Sequence, residues 1–121
     1  MDNPGNYQGY LGKTVDTGKK YYDPAGVAHT VYRRFVNCGA LPNNTTSNVA
    51  HGVTGLDITK PGGARLVFAH SSTKVLGTHR DLTIEFDATN VNLVTQTNLS
   101  GYTESVVEIE FCLSDESAES D

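Results

Sequence analysis

A chain of 121 residues holds one domain with a single core and leaves no room for two. Its formal net charge of -5 is concentrated at one end: four of the fourteen acidic residues lie in the last seven positions, so the rest carries ten acids against nine bases, a balance that excludes nucleic acid as a main partner. No apolar run approaches the roughly 20 residues of a membrane helix, and the N-terminus has neither a basic start nor an apolar stretch, which argues against membrane insertion and a secretory address.

Fourteen Thr, nine Asn and twelve Gly favour short strands joined by tight turns over helices, where these residues rank poorly. No segment sustains helical apolar spacing over three turns, so the chain reads as all-β. Residues 1–12, rich in Gly, Asn and Tyr and without periodicity, read as an extended N-terminal arm that needs a partner surface. Residues 13–22 read as a small hairpin around Asp16, Thr17 and Gly18, and residues 23–26 (DPAG) as a turn. A long strand over residues 27–38 follows, apolar on both faces, with the Arg33–Arg34 pair read as solvated or paired charges on an edge strand.

Pro42, Asn43 and Asn44 predict a turn, residues 48–53 a short strand, and residues 64–70 another, with residues 71–80 a polar loop. Residues 81–88 alternate cleanly, Leu82, Ile84 and Phe86 against Thr83, Glu85 and Asp87, and residues 90–96 set Val91 and Leu93 inward. The last strand, residues 102–113, turns Val107, Ile109, Phe111 and Leu113 to the core and leaves Glu104, Glu108 and Glu110 facing water. Six or more such strands predict an antiparallel β-sandwich, jelly-roll-like, over residues 13–113. Residues 114–121 form an acidic tail with nothing to bury.

Chemistry-bearing patterns are sparse. His29, His51, His70 and His79 show no H-x-H or H-x-x-x-H spacing, and Cys38 and Cys112 lack that of a zinc knuckle, so no metal and no cofactor are expected. His51 alone invites a metal reading, as three copies near the axis of a trimer, against the plainer one of a ring hydrogen-bonded to a neighbouring backbone or to a partner subunit. There is no G-x-S-x-G elbow, the three glutamates of the last strand share a regular outer face, and Gly62–Gly63 lacks the Lys-Ser/Thr ending of a phosphate loop. The chain is therefore expected not to be an enzyme, with no catalytic residues. Two cysteines fit part-buried, reduced thiols, although a bridge between them is left open.

Residues 39–58, GALPNNTTSNVAHGVTGLDI, and residues 86–111, FDATNVNLVTQTNLSGYTESVVEIEF, carry a resemblance. With their ALPN turn, VAH strand, N-x-N strand and GYT-initiated last strand they resemble the carboxy-terminal tip domains of bacteriophage tail fibres and minor tail proteins. The similarity extends to the hairpin at residues 15–22 and covers most of the body. It implies a non-enzymatic virion structural protein, assembled in the bacterial host cytoplasm and located in the virion. It further implies a homotrimeric tail-fibre or baseplate tip module that binds a receptor for host attachment. The alternative in the same setting is a capsid decoration or head-fibre protein that stabilises or adorns the particle.

On this reading the partners are further copies of the chain, other phage virion proteins held through the N-terminal arm, and a host surface glycan or protein. The candidate receptor-binding residues are His70, Ser71, Ser72, Lys74, His79, Arg80 and Tyr102, all polar and set between strong strands. The candidate virion-anchoring residues are Asn6, Tyr7 and Tyr10 in the arm.

Overall fold

A computed structural model describes residues 11–76 and 80–114. Among these residues there is no helix, and hence none long and apolar enough to cross a membrane. Nine strands run in the order β1 Val15–Tyr22, β2 Ala28–Asn37, β3 Thr46–Ala50, β4 Leu56–Asp57, β5 Gly63–His70, β6 Val75–Leu76, β7 Leu82–Phe86, β8 Asn90–Thr95 and β9 Glu104–Leu113. All pair antiparallel. The larger sheet has the order β1-β2-β9-β5-β6, with the two-residue β4 added beside the end of β9, and the smaller has the order β3-β8-β7.

The period-2 alternation read from the sequence is what builds the space between the sheets. Tyr32 and Val36 of β2, Leu66 and Ala69 of β5, and Val107, Ile109 and Phe111 of β9 meet Val91 and Leu93 of β8, all of them buried. Half-buried Leu82, Ile84 and Phe86 of β7 close one flank, as their alternation predicts. The Tyr32 and Phe111 rings stack with centroids 6.3 Å apart at the centre of the larger sheet's inner face. The fold is thus a two-sheet antiparallel sandwich with its core cluster between the sheets.

Several local expectations are corrected. The Asp16-Thr17-Gly18 triplet makes no hairpin: β1 is one continuous strand whose register against β2 shifts between Asp16 and Lys20. The turn chemistry is present but is spent on this bulge, where Gly18 takes φ +85°, its N–H donates to Asp16 Oδ1 and Thr17 Oγ1 donates to the Val31 carbonyl. β2 is an interior strand, flanked by β1 and β9, so Arg33 and Arg34 lie on opposite faces of an inner strand and not on an edge. Arg33 lies over the Phe35 ring on the outer face, while the Arg34 guanidinium donates to the Gly12 carbonyl. The strand expected at residues 48–53 is shifted to Thr46–Ala50, and the loop expected at residues 71–80 contains β6.

The largest correction concerns β9. Glu104 is exposed and Glu110 half-exposed, but Glu108 is only 7% exposed. Alternation does put Glu108 on the outer face; two arginines then cover it. Its Oε1 accepts from Arg65 Nε at 2.6 Å, and Arg33 approaches Oε2 at 3.8 Å. Lys19 binds Glu110 at 2.8 Å. The outer face of the larger sheet is therefore a laced ionic surface.

Both cysteines are free and buried. Loss of solvent pushes the Cys38 thiol up to about 12, which keeps it protonated and inert as a nucleophile. The call of an arm over residues 1–12 is described only at Leu11 and Gly12, which join β2 through a bridge to Phe35 and a Gly12 N–H to Phe35 carbonyl bond of 3.0 Å. Asn6, Tyr7 and Tyr10 lie outside the described residues, as does the tail beyond Ser114.

Candidate functional site: the loops at one end of the sandwich

The candidate contact residues gather where β5 ends and β9 begins. His70 is the last residue of β5 and pairs with Glu104, the first of β9. Residues 71–74 then turn the chain into β6, closed by Ser71 N–H to Lys74 carbonyl at 2.9 Å. The Ser71 hydroxyl accepts from the Thr73 and Lys74 N–H groups, at 3.2 and 3.1 Å, so it shapes the turn. Ser72 and Lys74 are exposed on that turn.

Backbone bonds join this turn to the neighbouring loops. The Thr103 N–H donates to the His70 carbonyl at 3.0 Å, Leu41 to the Tyr102 carbonyl at 3.0 Å, and Leu99 to the Pro42 carbonyl at 3.2 Å. Asn44 donates to Thr97, and Gln96 to Asp81, both at 2.9 Å. Turns from both sheets are thereby fixed at a single end, which brings His70, Ser71, Ser72, Lys74, Arg80 and Tyr102 to that end. Arg80 is the freest of them, its side chain 92% exposed and 3.7 Å from Asp81. His79 lies outside the described residues.

Tyr102 departs from the expectation of a displayed ring: its side chain is half-buried and packs against the core. The sequence could not separate the two, since a tyrosine beside a glycine turn suits either a contact surface or the edge of a core. Glu104 and Asn43, read from the sequence only as a water-facing glutamate and a turn residue, also lie at this end, as do Asn98 and Ser100, which sequence reasoning did not single out. Asn98 Oδ1 accepts from the backbone N–H and hydroxyl of Ser100 at 3.0 and 2.7 Å, the short polar loop chemistry that the N-x-S spacing encodes.

His70 is the electrostatic centre of the end. Its Nε2 lies 2.8 Å from Glu104 Oε1, its Nδ1 3.3 Å from the Ser71 carbonyl, and its ring stacks on Phe68 at 5.9 Å between centroids. The Glu104 carboxylate, then the Ser71 carbonyl, hold His70 above the ordinary imidazole value of 6.5. A folded-state value above the unfolded one means that the pair's support is complete below the unfolded value and is lost as pH rises through the folded one. In a proton NMR titration His70 is expected to show a midpoint above that of a free histidine, and Glu104→Gln to return it toward 6.5. An unshifted midpoint in the parent protein would refute the pair.

His51 resolves toward the plainer of its two readings. It is 4% exposed, its Nε2–H donates to the Asp87 carbonyl at 2.9 Å, and its Nδ1 accepts from the Val53 N–H at 3.0 Å. Both nitrogens are engaged, so the ring has no lone pair to offer a metal shared between copies. Among the described residues no group of three or more His, Cys, Asp or Glu could hold a metal ion.

Comparison of the chain with protein-family models, with curated proteins and with solved structures finds no match.

Proposed function

We propose that the chain is a non-enzymatic bacteriophage virion protein, a homotrimeric tail-fibre or baseplate tip module that contacts the host surface through the loops at the His70–Tyr102 end. The observation that carries the contact surface is the convergence of turns from both sheets at that end, cross-linked by backbone hydrogen bonds and edged by exposed Ser72, Lys74 and Arg80. Polar side chains on loops held by a rigid scaffold suit adaptable recognition, because little further ordering is needed on contact. The phage setting rests on the resemblance carried by the ALPN, VAH, N-x-N and GYT motifs and the segment of residues 15–22. Trimer formation rests on the same resemblance.

The second reading, a capsid decoration or head-fibre protein, draws on the way Leu11 and Gly12 are fastened to β2, which gives a preceding arm a firm base for tethering. Particles carrying Lys74→Ala and Arg80→Ala decide between the two. Both side chains are exposed, so melting is expected to stay within about 0.5 kcal/mol of the parent. On the tip reading, adsorption to host cells falls at least about tenfold, a loss of roughly 1.4 kcal/mol. Unchanged adsorption, together with release of the protein from particles on deletion of residues 1–10, would transfer the assignment to the decoration reading.

A further inference from the structure

At the other end of β5, roughly 23 Å from His70 at about 3.3 Å per residue, a cleft of about 210 Å³ opens between the two sheets. It is lined by Asp57, Ile58, Lys60, Gly62, Phe86 and Phe111. Its volume lies below the range of about 300–1,000 Å³ usual for drug-sized ligands. The matching occupant is a single six-membered sugar ring or a molecule of that size.

The rim defines what such a molecule must offer. Asp57 Oδ1 already accepts from the Thr59 N–H at 2.9 Å and from the Thr59 hydroxyl at 2.5 Å, while Oδ2 accepts from Lys60 Nζ at 3.1 Å. A carboxylate oxygen accepts about two bonds and an ammonium donates three. Oδ2 therefore retains one acceptor site and Lys60 retains two donors, side by side. Two adjacent hydroxyls satisfy that pattern, one accepting from Lys60 while the other donates to Asp57.

The lining is part apolar. Phe86 and Phe111 line the interior, and Ile58, 62% exposed, stands at the cleft as one of the few large apolar side chains left in water. A pyranose presents such an apolar C–H face together with vicinal hydroxyls. Charge selects further: Asp57 and Lys60 cancel, and Asp23 acts on Lys60 as an additional negative charge. The Thr59 bonds, first, and then Lys60 hold Asp57 down to about 2, and with Asp23 the local charge is net negative, which disfavours an anionic ligand.

We propose that this cleft is a binding site for one neutral hexose or other pyranose, held by Lys60 and Asp57 at its hydroxyls and by Phe86 and Ile58 at its apolar face. The cleft lies at the opposite end of β5 from the proposed host-contact loops, and the fit to a neutral sugar rests on the cleft alone. Gly62 completes the site, since its bare Cα lets the backbone lie against β9 and leaves the space in front of Phe86 open.

The test is a titration of the ¹⁵N-labelled full chain with glucose, galactose, mannose, N-acetylglucosamine and rhamnose, and with N-acetylneuraminic acid as the acidic control. At least one neutral sugar is expected to shift the amides of Thr59, Gly62 and Gly63 with a dissociation constant of about 1–10 mM, and the acidic sugar to bind at least about tenfold more weakly. Lys60→Met, which keeps the length and removes the donors, is expected to weaken binding at least about tenfold with the amide spectrum otherwise retained. Asp57→Asn, a second variant, is expected to weaken it as well.

The proposal is overturned if no neutral sugar perturbs those amides up to about 50 mM, about five times the weakest dissociation constant expected. It is equally overturned if the acidic sugar binds as well, or if both variants bind as the parent does. The host-contact reading fails separately: sugar binding with adsorption unaffected by Lys74→Ala and Arg80→Ala removes that reading's assigned surface and leaves the cleft. Lost adsorption without sugar binding does the reverse.

Discussion

Phe111→Ala is expected to lower the free energy of unfolding by about 3–5 kcal/mol, the cost of taking an aromatic side chain from a core that cannot collapse around the void. Phe111 is 1% exposed, stacks against Tyr32 and lies in the central strand of the larger sheet, held on one side by β2 through its pairing with Tyr32. Its neighbours Ile109 and Val107 are themselves wholly buried and fixed by pairing on both sides, so relaxation into the space is small. Glu108→Ala is the informative contrast. Arg65 and Arg33 are 63% and 41% exposed, so both return to water when the carboxylate is removed, and the expected loss is about 1–2 kcal/mol. Urea unfolding of the two variants measures both numbers. Equal losses would show that the faces of β9 are wrongly assigned, and no loss from Glu108→Ala would show that the arginines contribute only cover.

The contrast also marks how far the sequence could be read. Alternation in β7, β8 and β9 was legible because one face of each strand packs on the core and the other does not, and a period of two is the direct record of that asymmetry. The same period cannot report what lies on top of an outward side chain. Glu108 is outward and yet covered, because Arg65 of β5 and Arg33 of β2 reach it from strands 43 and 75 residues away in the chain. Pairing order is likewise invisible to a local pattern, so β2 was placed at an edge although β1 and β9 flank it.

Turn residues were the least reliable guide. Asp16-Thr17-Gly18 has the composition of a hairpin turn, and only the tertiary pairing of β1 with β2 on both sides of the triplet converts it into a bulge. For the candidate contact surface, the polar residues between strands were legible as loops. Their convergence was not, since it depends on bonds such as Thr103 to His70 and Leu41 to Tyr102 that join distant segments. The cleft at the opposite end was hidden for the same reason, since Asp57, Ile58, Lys60 and Gly62 meet Phe86 and Phe111 from distant parts of the chain.

Gly62→Ala is expected to cost about 3 kcal/mol, at the upper end of the usual penalty for overfilling a packed site. The backbone at Gly62 is not in the left-handed region, so conformational freedom is not the reason for glycine here. Proximity is: a Cβ at this position would stand 2.4 Å from the Glu110 carbonyl oxygen and 3.2 Å from Phe86 Cζ. The first contact is with the backbone of the central strand, which is paired with β2 through Arg33 and with β5 through Gly63, so it has little freedom to withdraw. Relief must come from the segment of residues 58–62 lifting away from β9, which would strain the short pairing of β4 with Leu113 and Cys112. Gly63→Ala is the control, because a Cβ there meets nothing within 4 Å, and its cost is expected to stay below about 1 kcal/mol. Thermal melts of the two variants separate the cases. A Gly62→Ala protein as stable as the parent would show that the 58–62 segment yields freely and that the cleft it borders is not a preformed cavity.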